Sequence, residues 1–125
     1  ELSVLTRALV DIVSMTTKAF KENNLEAAAS VEPLEQVIDS LIASVKSRHV
    51  ERLQRGECTI ELGFILTDVI TDYERVSDHC SNIAVAVIES QHGTFDTHEY
   101  LDDIKHNSGT FELLYHKYEK EYKLK

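Results

Sequence analysis

Apolar residues recur every three or four positions along most of the chain, the period of helices with one buried face. Leu2, Leu5, Leu9, Ile12, Val13 and Phe20 form the first stripe. It predicts a helix running to the Asn23-Asn24 pair, a poor helix interior because asparagine side chains compete for backbone hydrogen bonds. A short alanine-rich link follows, and Pro33 is placed in the first turn of a second helix, where its missing N–H is no loss. That helix carries Leu34, Ile38, Leu41, Val45 and Leu53 and is closed by Gly56. The third stripe is the most regular: Leu62, Leu66, Val69, Tyr73, Val76, Cys80, Ile83 and Val87 alternate steps of four and three, the spacing of a coiled-coil-like seam. It predicts the central helix of the molecule, with Tyr73, Val76, Cys80 and Ile83 in the core. Gly93 ends it, and Asp96 with Glu99 has the form of a capping box opening a fourth segment with Tyr100 and Ile104, which Asn107-Ser108-Gly109 interrupts. Phe111, Leu114, Tyr115, Tyr118 and Tyr122 continue a helical stripe to the charged end. The expected fold is all-α: an antiparallel helical bundle of three helices plus an additional C-terminal helical segment, in one domain over residues 1–125. The apolar spacing is under way at Leu2 with no initiating methionine, which points to a piece of a larger protein.

Composition agrees with long helices: the chain has four glycines and a single proline. Cys58 and Cys80 both sit in helical patterns and read as small packing residues rather than a disulfide or a nucleophile, so a reducing compartment is expected. Charge changes the picture further. With 22 acidic and 13 basic residues the formal charge is -9, which argues against nucleic acid as a partner and favours cations. No apolar run approaches the roughly 20 residues needed to cross a bilayer. No nucleophile, base and orienter can be named and no glycine-rich phosphate loop is present, so a non-enzymatic protein is expected.

The candidate chemistry lies in two short patterns, Glu35-Gln-Val-Ile-Asp39 and Glu74-Arg-Val-Ser-Asp78. Residues four apart on a helix share a face, so each pattern sets two carboxylates on one stripe. Counted from the turn at Gly56, Asp39 lies about as far before it as Glu74 lies after, and Glu35 about as far before as Asp78 after. In an antiparallel pair of straight helices the two patterns therefore fall at nearly one height. Rotation puts all four on the same side of the groove, at the edge of the bundle. Such a density of hard oxygen donors suits iron, manganese, magnesium or calcium, with zinc also accommodated. His79 and His49 can extend such a site, but both read better as partly buried bundle residues; His92, His98, His106 and His116 show no metal spacing and read as surface residues.

Asp72-Tyr-Glu-Arg-Val-Ser-Asp-His-Cys-Ser-Asn-Ile-Ala84 resembles the E-R-(I/V)-(S/G)-D-H-x-x-N-I-A signature of PhoU proteins, and Glu35-Gln-Val-Ile-Asp39 matches the acidic motif on the preceding helix of their repeat. The phrase from Glu32 through Glu89, with His49-Val-Glu-Arg-Leu53 and Gly56-Glu-Cys58, is more similar still to the PhoU-like C-terminal domain of bacterial sodium/phosphate cotransporter family proteins. The resemblance implies a bundle built on a three-helix repeat whose paired acidic motifs hold metal at the surface. Carried over, Glu35, Asp39, Glu74 and Asp78 are the ligands, with Asn82 and His79 as further neighbours. It also implies a regulatory domain at the cytoplasmic face of the membrane, acting in phosphate uptake, with the transmembrane transporter domain of the same polypeptide as partner. PhoU proper has two such repeats in tandem, whereas this chain shows one set of motifs, so a second repeat or a second subunit of a homo-oligomer can complete the ligand set. Two other readings stand beside this one. A ferritin-like di-metal enzyme would need Glu-x-x-His pairs pointing inward, which these motifs lack. A metal-free helical protein-interaction module would explain the seam and the acidic surface equally well.

Overall fold

The computed structural model describes residues 1–92 and 109–124. Among them are four helices and no strand: α1 (Leu2–Glu22), α2 (Leu25–Gln54), α3 (Ile60–His92) and α4 (Gly109–Glu121). The expected fourth segment around Asp96, Glu99, Tyr100 and Ile104 lies outside the described residues, as do Gly93, His98, His106 and the Asn107-Ser108 pair; Gly109 is the first residue of α4.

Local chemistry sets both hairpin turns. Asn23 adopts the left-handed conformation (φ 50°, ψ 41°) that ends α1, and the Asn24 side chain accepts a 3.0 Å hydrogen bond from the Ala27 N–H, capping α2. The alanine-rich link is therefore the first turns of α2, and Pro33 stands inside that helix rather than at its start. Alanine is the best helix former, and the burial of Ala28, Val31, Pro33 and Leu34 outweighs a proline penalty of about 3 kcal/mol. At the other end Gly56 takes φ 71°, its N–H bonds the Leu53 carbonyl and the Glu57 N–H bonds the Arg52 carbonyl at 2.8 Å. This is a Schellman closure, and it needs a residue tolerant of positive φ.

α1 packs on α2 and α3, and α4 packs on α2, so α2 is the element that every other helix touches. The expectation of α3 as the centre is thereby corrected. Its seam is also turned by one residue at alternate positions: the buried row runs Gly63, Ile70, Ser77, Cys80, Ala84 and Val87, while Leu62, Val76 and Ile83 are exposed. Tyr73, expected in the core, and Leu66 are partly buried, packed against the core's edge. On α1 the buried row is Leu5, Ala8, Leu9, Ile12, Thr16 and Ala19, leaving Leu2, Val13 and Phe20 exposed, and Leu53 of α2 is exposed as well. Tyr118 and Phe111 of α4, and Tyr122 just past its end, are buried as the stripe predicts. No described helix is long and apolar enough to cross a membrane.

Candidate metal centre

The α2–α3 hairpin carries the acidic motifs to a common height. Glu35 and Asp39, one helical turn apart on α2, meet Asp78 of α3, and one carboxylate oxygen from each lies within 4.8 Å of the others. Glu35 is buried, while Asp39 and Asp78 are exposed, so the cluster opens to solvent from the bundle edge.

Electrostatics follow from that placement. Burial, a hydrogen bond shared with Asp39, and the charges of Asp39, Glu32 and Asp78 push the Glu35 carboxyl up to about 8. Asp39 is also raised, first by burial and then by the charges of Asp78, Glu74 and Glu32, with the bond from Glu35 opposing them. No lysine or arginine among the described residues pairs with Glu35, Asp39 or Asp78. At neutral pH the cluster thus relieves its repulsion by keeping a proton on Glu35, or by taking up a cation.

The fourth expected ligand stands apart. Glu74 pairs across the hairpin with Lys46 of α2, its Oε2 3.7 Å from Nζ, and stays outside the tight group. A residue that the motif reading passed over stands beside it: Glu32, one turn before Glu35, accepts a 2.7 Å hydrogen bond from the Ser81 hydroxyl and adds its charge to both Glu35 and Asp39. Its three-residue spacing from Glu35 was the available signal. His79 is exposed, contrary to the expectation of partial burial, and neither His79 nor Asn82 belongs to the group within 4.8 Å. His49 is partly buried as expected, packed so closely on α3 that a Cβ at Gly63 would stand 2.9 Å from its Nε2. Cys80 is buried, in keeping with a packing role, and both cysteines are free.

Three carboxylates without a cationic partner among the described residues form a hard, oxygen-only donor set, which fits a hard divalent or trivalent ion rather than a soft one. Comparison with known proteins adds two findings. The PhoU domain matches residues 2–87. The phosphate-specific transport system accessory protein PhoU homolog 1 of Thermotoga maritima is 28% identical over 108 residues, which cover 86% of this chain and 46% of the relative. The chain thus spans less than half the length of that curated relative. No solved structure matches the chain.

Proposed function

The chain belongs to the PhoU domain family, and from that premise we propose that it is a non-enzymatic regulatory domain of phosphate uptake that holds a metal ion at Glu35, Asp39 and Asp78. The observation that carries the metal reading is the convergence of these three carboxylates within 4.8 Å, with no lysine or arginine of the described residues paired to them. Glu74 and Glu32, close enough for their charges to raise Asp39, are the reserve from which a larger or second ion draws ligands. A bound ion would supply positive charge that joins α2 to α3, a staple whose occupancy the regulated partner can sense. The finer reading is that the partner is a sodium-dependent phosphate transporter whose membrane-embedded part belongs to the same polypeptide, with this domain at the cytoplasmic face. It rests on the likeness of the phrase from Glu32 through Glu89 to the domain in such transporters. The relative from Thermotoga maritima, by its name an accessory protein of phosphate-specific transport, supports the coarser link to phosphate.

The test is thermal. Manganese, iron, magnesium, calcium or zinc added to chelator-treated protein should raise Tm with concentration, because a ligand that binds only the folded state stabilises it by mass action. Asp78→Asn should lose most of that rise, while Glu112→Gln, a similar change at an exposed carboxylate of α4, should keep it. A wild type that none of the ions shifts sinks the metal assignment. In cells, Asp78→Asn in the full-length protein should alter phosphate uptake; uptake indistinguishable from wild type would refute the regulatory role of the site.

A further inference from the structure

Large apolar side chains crowd the closed end of the α2–α3 hairpin without cover. Ile60 and Phe64 are 71% and 69% exposed, Leu62 and Ile65 58% and 60%, and Val50 and Leu53 of α2 are exposed beside them. Gly63, buried against His49, marks the inward side of α3. At about 100° per residue, Ile60 and Phe64 then lie on one flank of the helix and Leu62 and Ile65 on the other. Length explains why both flanks are bare. α1 and α3 each run antiparallel to α2 and hence parallel to each other, and the 2.7 Å hydrogen bond between the Thr6 and Tyr73 hydroxyls sets their register. Counted back from that bond, Glu1 stands about level with Asp68. The first two turns of α3 therefore reach roughly 10 Å beyond the start of α1, and nothing among the described residues covers them.

Shape, charge and depth identify what does. A flat protein face meets one flank of a helix, whereas an end that is apolar on both flanks calls for surroundings that reach it from all sides. Arg48 and Arg52 pair with Glu1, and Arg55 with Glu51 and Glu57, so ion pairs match most of the charge at this end. The clustered carboxylates of Glu35, Asp39 and Asp78 lie well down the hairpin. In a chain of formal charge -9, this end can approach anionic headgroups, and its arginines can exchange a carboxylate for a lipid phosphate. Helices at a bilayer surface bury their apolar side chains about 5–10 Å into the boundary between headgroups and acyl chains, the reach of this projection. We propose that the closed end of the α2–α3 hairpin dips into the interfacial layer of a lipid bilayer, with Ile60, Leu62, Phe64 and Ile65 among the upper acyl chains and Arg48, Arg52 and Arg55 at the headgroups. The bundle then stands end-on to the membrane with Glu1 on the membrane side. This deepens the reading of a domain at the cytoplasmic face and rests on it for which membrane is met, but not on the metal.

The chain has no tryptophan, so Phe64→Trp places one fluorescent reporter at the tip. With vesicles of phosphatidylethanolamine and phosphatidylglycerol, its emission should shift to the blue, be quenched by brominated acyl chains, and keep the shift at high salt. Leu113→Trp, at a 73% exposed leucine on α4, should show neither change. The wild type should sediment with the same vesicles. Phe64→Glu and Ile60→Glu should weaken that partition roughly tenfold or more, with unchanged circular dichroism because both side chains are already exposed. Vesicles that leave Phe64→Trp unshifted overturn the proposal and leave the tip to a protein surface. A shift shared equally by Leu113→Trp overturns it as adsorption without orientation, and so does sedimentation that Phe64→Glu leaves intact or that high salt abolishes. All of this is read on the chain alone with chelator present, so failure here leaves the metal assignment standing, and a Tm that no ion raises leaves the tip standing.

Discussion

Glu35 sets the chemistry of the carboxylate cluster because it is the member withdrawn from water. Its carboxyl lies near 8 when folded against an ordinary 4.5, so between those values the native state holds a proton that the unfolded chain has released. Stability without metal must then be highest below about pH 4.5 as far as this group is concerned, and must fall as pH rises towards about 8. Asp39, raised as well, adds a slope of the same sign. Glu35→Gln keeps a donor for Asp39 and cannot ionise. In urea unfolding with chelator present, the variant should lose most of the wild-type decline between about pH 5 and pH 8, ending on the order of a few kcal/mol more stable at the alkaline end. Parallel curves for the two proteins would show that another group titrates. Spacing and height alone brought Glu35, Asp39 and Asp78 into view, but they could not separate these from Glu74. That choice belongs to Lys46, two turns beyond Asp39 on the same helix face, whose ammonium offers Glu74 one opposite charge in place of several like ones.

The third helix shows why its pattern was legible and its orientation was not. Leu66, Tyr73, Cys80 and Val87 belong to both the expected and the observed seam; between them a helix can turn inward the residue three or four positions on. Hydrophobicity favours Val76 over Ser77 and Ile83 over Ala84, yet the structure buries Ser77 and Ala84. Small residues win where helices approach closely, as at Gly63 against His49. Ser77 is fully buried and its Oγ has no hydrogen-bond partner. Substitutions should therefore rank against the sequence pattern. Ser77→Ala should be neutral or stabilising by about 1 kcal/mol, since it removes an unsatisfied hydroxyl. Ser77→Val should destabilise by about 1–3 kcal/mol through overpacking, and Val76→Ala should stay within about 0.5 kcal/mol when measured on dilute protein. Chemical denaturation gives all three values; Val76→Ala costing more than Ser77→Val would restore the seam that the apolar spacing suggested.

Across the whole molecule, the three long helices and the turns at Asn23 and Gly56 were readable because each turn has local chemistry, but the central place of α2 was not. Val31, Leu34, Val37, Ile38, Leu41 and Ile42 are all buried, and together they spread round much of the helix instead of forming one stripe, since α1, α3 and α4 each take part of its circumference. α4 depends most on that arrangement. At 13 residues it is too short to be stable alone, and two contacts tie it across to α1. The Tyr122 hydroxyl donates to Asp11 Oδ2, and Arg7 donates a 2.6 Å hydrogen bond to the Glu121 carbonyl while its guanidinium lies 5.1 Å from the Tyr122 ring centroid. Burial and the Asp11 carboxylate hold the Tyr122 phenol above its ordinary range, so the bond keeps its donor through neutral and mildly alkaline pH. Tyr122→Phe retains the buried ring and deletes only the donor to a charged acceptor, a loss of about 1.5–3 kcal/mol. Because α4 touches α2 on one side and α1 only through these groups, that loss should appear as local opening: hydrogen exchange in α4 should quicken roughly tenfold or more while the interiors of α1, α2 and α3 keep their rates. Asp11→Asn should act in the same direction, and combining the two changes should add less than their sum, since both break one contact. Exchange that quickens equally in all four helices would mean that α4 unfolds only with the whole bundle, and that the tie to α1 holds the core together rather than a dockable helix in place.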